Sequence, residues 1–228
     1  MIDVAWLCAL AIRSVYWLVL LACNFLGYST LWARREIKQR ERDEDVRRSL
    51  KTPAHVAILN NSCSMNKSSL MSLLSVCLAA NIRRLTIYDP VTEYSHLADD
   101  LKIFCKSKRI KVMTGCGSTP MDLSSYRLVV HLLSVGSGKE TLVEACRDLS
   151  SSSTPISVTD VSTHLAKRYS LYEPEVLIQV GNIPSLSGFP PWCLRVTEIV
   201  PVRTLPCTRY ALEECLETYS KREIRLGK

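Results

Sequence analysis

Residues 55–90 contain a strand, a helix and a second strand in the sequence HVAILNNSCSMNKSSLMSLLSVCLAANIRRLTIYDP. The first strand is predicted by the buried-type run HVAIL, the helix by KSSLMSLLSVCLAA at residues 67–80, and the second strand by RLTIY. Either Asn66 or Ser64 can act as the N-cap of the helix. A strand, a helix and a parallel strand in succession form the repeating unit of α/β proteins.

The same alternation continues to the end of the chain. Further strands are predicted at residues 110–114, 126–133 and 176–180, and further helices at residues 92–108, 139–149, 159–169 and 207–221, with a Ser/Thr linker at residues 150–154. The predicted fold is α/β, a mostly parallel sheet flanked by helices, in one domain over residues 53–228. Ligands of such sheets bind beyond the carboxyl ends of the strands, so the loops after Leu59, Tyr88, Leu133 and Val180 are the candidate site.

Composition excludes several classes of protein. Hydrophobic residues make up 47% and charged residues 22% of the 228 residues, which excludes a disordered chain. The net charge of +7 is too modest and too scattered to indicate nucleic acid, but it favours an anionic neighbour such as a phosphate ligand or a membrane surface. The ten cysteines form no CxxC pair, so we expect no zinc ribbon and reduced thiols in a reducing compartment.

The N-terminal region predicts a membrane anchor at residues 1–33. Residues 14–32 carry no charge over 19 positions, enough for a transmembrane helix, and Arg34, Arg35 and Lys38 follow directly. These cations begin a charged linker helix at residues 34–52 and predict a cytoplasmic C-terminal domain. The alternatives are a cleaved signal peptide and a fully buried helix of a soluble protein. The long apolar run and the lack of Lys or Arg before Arg13 argue against a signal peptide.

Two motifs of other enzyme classes are incomplete. Residues 136–141, GSGKET, resemble the end of a phosphate-binding P-loop, but Leu133 replaces the required first glycine and Glu140 replaces the Ser or Thr after the lysine. The four histidines lack the spacing of metal ligands, and His131, between apolar residues, is predicted to be a core group. Asp89, at a strand end before Pro90, is interpreted as a turn residue or, alternatively, as a site residue.

Three segments resemble the cis-prenyltransferase family, and within it the Nogo-B receptor branch, over about residues 53–228. They are HVAIL at residues 55–59; VLIQVG at residues 176–181, continuing to Phe189, Trp192 and TEI at residues 197–199; and RLGK at residues 225–228. The Arg-x-Gly ending resembles that of subunits in two-component polyprenyl diphosphate synthases. The resemblance implies a cis-prenyltransferase-like fold.

The chain departs from the catalytic members at the positions that hold substrate. The resemblance places Asn61 where catalytic members carry an Asp that helps hold Mg²⁺ and the allylic diphosphate, and a neutral amide is a poorer Mg²⁺ ligand. Residues 179–187, QVGNIPSLS, match a segment with two diphosphate-binding arginines and a serine, of which only Ser187 remains. The resemblance therefore implies a non-catalytic chain.

The resemblance also assigns roles to the C-terminus and to one carboxylate. Arg225, Leu226 and Gly227 would bind diphosphate in trans, completing the active site of a catalytic partner, because Arg225 offers a charge-assisted hydrogen bond and Gly227 allows close backbone approach. A solvated, frayed terminus is the alternative. Glu198 matches a family position near the metal; it is alternatively a strand-end carboxylate paired with Arg195 or Arg203.

The resemblance implies that the chain is an accessory subunit of a heteromeric dehydrodolichyl diphosphate synthase. No single motif indicates this function alone. Such a complex extends farnesyl diphosphate with isopentenyl diphosphate for dolichol synthesis and protein glycosylation, with Mg²⁺ held mainly by the catalytic partner. We expect a single-pass protein of the endoplasmic reticulum membrane and no nucleic-acid partner. The alternatives are a membrane-anchored receptor that uses a degenerate fold and an autonomous enzyme with a diverged site.

Overall fold

The computed structural model describes residues 12–15, 17–18, 21–22, 50–62, 65–92, 101–115, 123–151 and 155–221. The chain divides into two compact units, Met1–Ser49 and Leu50–Lys228. In the first unit the described residues are helical, and the rest of the predicted anchor and residues 34–49 of the predicted linker lie outside the described residues. Residues 50–52, the end of the predicted linker helix, are described and are not helical. Within the part that is described, no helix combines the length and apolarity needed to cross a bilayer.

The second unit alternates strands and helices, as predicted. Its regular elements in chain order are β1 His55–Asn60, α1 Lys67–Ala79, β2 Arg84–Tyr88, α2 Lys102–Lys108, β3 Ile110–Thr114, β4 Leu128–Leu133, α3 Lys139–Ser150, α4 Val158–Tyr169, β5 Val176–Val180, β6 Glu198–Val202 and α5 Arg209–Ser220. Two 3₁₀ turns, Val135–Ser137 and Pro191–Cys193, lie in the connections.

Side chains at the helix starts explain where three helices begin. The Asn66 side chain accepts a hydrogen bond from the Ser69 amide at 2.8 Å, so Asn66 rather than Ser64 is the N-cap of α1. Ser157 and Asp160 form a reciprocal capping box at α4. Thr208 accepts from the Ala211 amide at 3.2 Å at α5.

The six strands form one parallel sheet in the order β3-β4-β2-β1-β5-β6. From β1 the chain adds β2, β3 and β4 on one side of β1. It then crosses to the other side of β1, where it adds β5 and β6. This reversal of direction lies between β1 and β5, and the crevice outside the carboxyl ends at such a point is where doubly wound sheets bind ligands. The predicted mostly parallel α/β fold is confirmed.

Hydrophobic cores cover both faces of the sheet. One face packs against α1, α2 and α5 and buries Val56 and Ile58 of β1. The other packs against α3 and α4 and buries Ala57 and Leu59. Because successive side chains of a strand point to opposite faces, a central strand of a sheet covered on both sides is apolar throughout, which explains the run HVAIL.

One strand was not among those predicted. β6 pairs with β5 in parallel register, with Val176 opposite Glu198, and contains Pro201. Proline cannot donate a ladder hydrogen bond and is tolerated at a sheet edge, which is where β6 lies. The predicted strand at residues 126–133 begins two residues later, at Leu128, and of the predicted helix at residues 92–108 only Lys102–Lys108 is described as a helix.

Candidate functional site

Four strand ends meet at the carboxyl edge of the sheet. β4, β2, β1 and β5 are neighbours, so the loops after Leu133, Tyr88, Asn60 and Val180 lie side by side. These are the loops that the sequence predicted to form the site. What fills the crevice between them decides whether the domain can hold a ligand there.

A buried amide and carboxylate join the first two loops. The Asn60 side chain donates to Asp89 Oδ2 at 2.7 Å, and Asp89 Oδ1 accepts from the Val91 and Thr92 amides at 2.8 Å each. Asp89 is 2% exposed. Both of its oxygens therefore have donors from the protein, which supports the interpretation of Asp89 as a turn residue.

Asn61 ties the first loop to the loop after β5. Its Nδ2 donates to the carbonyl oxygen of Ser185 at 2.5 Å and to that of Ile183 at 3.3 Å. Its Oδ1 is buried without a hydrogen-bond partner among the described residues. A carboxylate at this position would place negative oxygens against two carbonyl oxygens, so the local structure requires the amide.

Two more side chains hold the same loop in the crevice. Gln179 Nε2 donates to the Ser185 carbonyl at 2.8 Å, and the Tyr88 hydroxyl donates to the Ser187 carbonyl at 2.9 Å. Burial raises the pKa of the Tyr88 phenol, which therefore keeps its proton as a donor. The Tyr88 ring meets Phe189 edge-on at 5.6 Å. Sequence reasoning singled out neither Gln179 nor Tyr88 as a loop anchor. Tyr88 was assigned to a strand, and Gln179 to a strand and to the segment that matches the diphosphate-binding segment of catalytic members.

Glycines let the loops approach until their backbones touch. A Cβ on Gly138 would overlap the carbonyl oxygen of Gly188, and one on Gly181 would come within 3.0 Å of the Asn61 carbonyl group. Gly181 and Gly188 also have φ of +119° and +86°, which side-chain-bearing residues rarely adopt. At these two places the loops at the carboxyl edge are in direct backbone contact.

The described residues at this edge do not fit Mg²⁺. Asn61 supplies no carboxylate, and both oxygens of Asp89 already accept hydrogen bonds. Among the described residues no group of three or more His, Cys, Asp or Glu side chains could hold a metal ion.

Glu198 lies at the opposite edge from Asn61. It is the first residue of β6 and faces Val176, the first residue of β5, whereas Asn61 follows the last residue of β1. Arg195, one of the partners considered for Glu198, is 3.5 Å from Glu173. The structure does not bring Glu198 and Asn61 together.

Arg225, Leu226 and Gly227 lie outside the described residues, but the base of their segment is well defined. The last turn of α5 is held by two contacts, from the Tyr219 hydroxyl to Glu175 Oε2 at 3.0 Å and from the Lys51 amide to Ser220 Oγ at 2.9 Å. Glu175 also accepts from the Ala54 amide at 2.8 Å. The C-terminal segment therefore starts beside the point where β1 begins.

The buried histidines are core groups, as predicted for His131. Burial lowers the pKa of His131, whose Nε2 lies 2.8 Å from the Gly115 carbonyl oxygen. Burial and the nearby Arg84 cation lower the pKa of His55 to about 3. Its Nε2 lies 2.9 Å from Thr86 Oγ1 and its Nδ1 3.2 Å from the Glu173 carbonyl oxygen. Both rings are neutral at physiological pH.

Three proteins with similar sequences are all named as subunits of a dehydrodolichyl diphosphate synthase complex. No family model matches the chain. The dehydrodolichyl diphosphate synthase complex subunit nus1 of Schizosaccharomyces pombe is 27% identical, covering 93% of this chain and 89% of that protein. Subunits of the same description from Mus musculus and Homo sapiens are 26% and 25% identical, covering 81% of this chain and 69% and 70% of theirs.

Solved structures share the fold. A probable undecaprenyl diphosphate synthase from Campylobacter jejuni has a TM-score of 0.59 at 18% identity, covering 78% of this chain and all of that chain. Lavandulyl diphosphate synthase from Lavandula x intermedia has a TM-score of 0.60 at 18% identity, covering 78% and 99%. The resemblance found in the sequence is confirmed: the chain is similar to the Nus1 subunits over most of its length, and it shares the fold of solved prenyl diphosphate synthases.

Proposed function

We propose that this chain is the non-catalytic subunit of a dehydrodolichyl diphosphate synthase complex and that it completes the active site of a catalytic cis-prenyltransferase subunit. The Nus1 relatives are named as subunits of such a complex. The observation that carries the non-catalytic role is Asn61, whose amide clamps the loop after β5 into the crevice. Held in the crevice in this way, the loop competes with a diphosphate for the same space.

The exposed side of β6 supports association with a partner. Among the described residues β6 pairs only with β5, which leaves its outer edge open. Ile199 on this strand is 38% exposed, and Val196 just before it is 42% exposed. An open strand edge with exposed apolar side chains is a surface that proteins cover with another chain.

The C-terminal segment is the part that acts in the partner's site. Arg225 donates charge-assisted hydrogen bonds to a diphosphate oxygen there, and Gly227, without a Cβ, brings its backbone amide close to the same group. Such donors stabilise the charge that develops on a diphosphate leaving group. Mg²⁺ in the complex belongs to the catalytic subunit.

Residues 14–32 anchor the subunit in the endoplasmic reticulum membrane, with the domain in the cytoplasm. The uncharged stretch and the cations that follow it support this arrangement. A membrane anchor suits an enzyme with a long polyprenyl product, because moving each CH₂ group of the product from water into the bilayer is favourable by about 0.8 kcal/mol. Glycosylation acceptors placed at either end of the chain measure the topology; modification at the C-terminal end would contradict it.

The test is prenyl transfer from isopentenyl diphosphate to farnesyl diphosphate by the full chain, alone and with a catalytic subunit. We expect the lone chain to be inactive and the mixture to be far more active than either part. Arg225→Ala should lower the rate of the mixture by ~10²–10³, as does loss of one oxyanion donor. Arg222→Ala, three residues earlier, is the matched control and should leave the rate within a few-fold.

Three outcomes would contradict the proposal. Turnover by the lone chain would make it an autonomous enzyme. Association without stimulation, or equal effects of the two arginine variants, would remove the role of the C-terminus and favour the receptor function instead.

A further inference from the structure

Arginines stand at the start of three neighbouring strands. The residue directly before each of these strands is an arginine: Arg109 before β3, Arg127 before β4 and Arg83 before β2. The strands are adjacent in the order β3-β4-β2. Backbone hydrogen bonds connect them, from the Arg127 amide to the Arg109 carbonyl at 2.9 Å and from the Val129 amide to the Arg83 carbonyl at 3.0 Å. With strands ~4.8 Å apart, the three arginines span ~10 Å.

These arginines and Lys108, the last residue of α2, form what we call the basic edge: Arg83, Lys108, Arg109 and Arg127. All four are exposed. None forms an ion pair within the described part of the chain. The Arg109 guanidinium is held by two hydrogen bonds to the Ser125 carbonyl, at 2.6 and 3.2 Å, so its charge is kept beside Arg127.

The other half of the same sheet edge carries carboxylates that are used internally. Glu175 accepts from the Ala54 amide and from the Tyr219 hydroxyl, and Glu173 pairs with Arg195. The positive charges of the basic edge are therefore not neutralised from the neighbouring strands that the structure describes. An uncompensated cluster of this kind attracts anions over about a Debye length, ~8 Å at physiological salt.

The shape of the basic edge favours a surface over a small ligand. The cavities of about 710, 340 and 290 Å³ in the domain are lined by other residues. The four cations lie instead along an exposed rim. The chain enters the domain at this same edge, where the Ala54 carbonyl accepts from the Arg83 and Arg84 amides at 3.1 and 2.9 Å.

We propose that the basic edge docks the domain on an anionic phospholipid bilayer. The inference goes beyond the proposed function, which places residues 14–32 in the membrane but assigns no contact to the domain. Each Lys or Arg close to an anionic leaflet strengthens binding about five-fold, so four together contribute ~10²–10³-fold. Docking fixes the orientation of the domain, and with it the height of the C-terminal segment above the lipid.

The experiment uses the full chain in lipid discs of phosphatidylcholine, with and without phosphatidylserine. Hydrogen exchange is followed in peptides covering residues 81–84, 106–111 and 123–128. We expect slower exchange of these peptides in the anionic discs, and loss of the difference in high salt, where the Debye length falls to ~3 Å at 1 M. Co-elution of protein with the discs separately tests the membrane anchor.

A charge-matched pair of variants isolates the basic edge. Arg83→Glu/Arg109→Glu/Arg127→Glu should weaken docking ~10²-fold or more and abolish the difference between discs. Lys139→Glu/Arg147→Glu/Lys167→Glu changes the net charge equally at other exposed positions and should retain it.

Three results would overturn the inference. Exchange that is equal in the two kinds of disc, for protein that co-elutes with both, would show that the edge does not contact lipid. Equal loss in the two triple variants would show an effect of net charge alone. Protection by polyglutamate without protection by anionic discs would assign the edge to an acidic protein.

Discussion

The two edges of the parallel sheet differ in what occupies them. At the carboxyl edge, amides and a phenol pin the loop after β5, and the backbones of three loops touch. At the amino edge, four cations stand exposed, and the first and last described segments of the domain meet. The edge where this architecture normally keeps its ligands is closed, and the other edge is open for contacts.

The largest expected effect concerns a buried base near the amino edge. The pKa of His55 is about 3 in the folded state, against 6.5 when exposed, so only the unfolded chain takes up a proton between these values. The stability from keeping His55 neutral is complete above pH 6.5 and is lost as the pH falls toward 3. We expect the free energy of unfolding to drop by about 3 kcal/mol between pH 7 and pH 4.

Urea unfolding at a series of pH values measures this slope. His55→Gln keeps a polar group beside Thr86 but removes the titration, so its slope should be shallower than that of the native chain. Equal slopes in the two proteins would show that His55 is not the source.

The second prediction tests whether the carboxyl edge is closed by Asn61. Asn61→Asp should not give the lone chain prenyl-transfer activity, although it restores the carboxylate of catalytic relatives. It should instead lower the free energy of unfolding by about 3 kcal/mol at pH 7, because a charge then faces two carbonyl oxygens in a partly buried site. Thermal unfolding and the prenyl-transfer assay measure the two effects.

A second asparagine provides the control. Asn66 accepts from the Ser69 amide at the start of α1, a position where Asp and Asn are equally good, so Asn66→Asp should be nearly neutral. Turnover by Asn61→Asp would show that the crevice opens readily and would remove the distinction between the two edges.

The smallest effect comes from two neighbouring glycines. Gly138→Ala forces a methyl group against the Gly188 carbonyl and should lower the free energy of unfolding by ~1–3 kcal/mol. Gly136→Ala meets no atom within 4 Å and should change it by less than ~0.5 kcal/mol. Equal stabilities of the two variants, measured by urea unfolding, would mean that the loops at the carboxyl edge are not in firm contact.

The four strands whose carboxyl ends form the candidate site could be predicted from the sequence. β1, β2, β4 and β5 are short apolar runs bounded by polar residues, and their order along the chain follows from the alternation with helices. β6 was not predicted as a strand because its run is brief and interrupted by Pro201, and only pairing with β5 reveals it. That Asn61 replaces a catalytic Asp is implied by the resemblance alone and stays a prediction.

The closing of the crevice was not visible in the sequence. It depends on Gly138 meeting Gly188 and on Asn61 meeting Ser185, which are pairs separated by many residues and brought together only by the tertiary fold. The basic edge has the same origin. Arg83, Arg109 and Arg127 are scattered in the sequence and become neighbours because β3, β4 and β2 pair.

The hydrogen bond from the Lys51 amide to Ser220 Oγ has a mechanical consequence. It joins the first described residues of the domain to the last turn of α5, and the contacts of Glu175 with Ala54 and Tyr219 make a second connection beside it. Force applied to the chain before Leu50 is thus transmitted through this contact to the end of α5, where the C-terminal segment begins, and not through the strands of the sheet. In the proposed complex, the membrane anchor and the segment that contains Arg225 would therefore both connect to the domain at this one place.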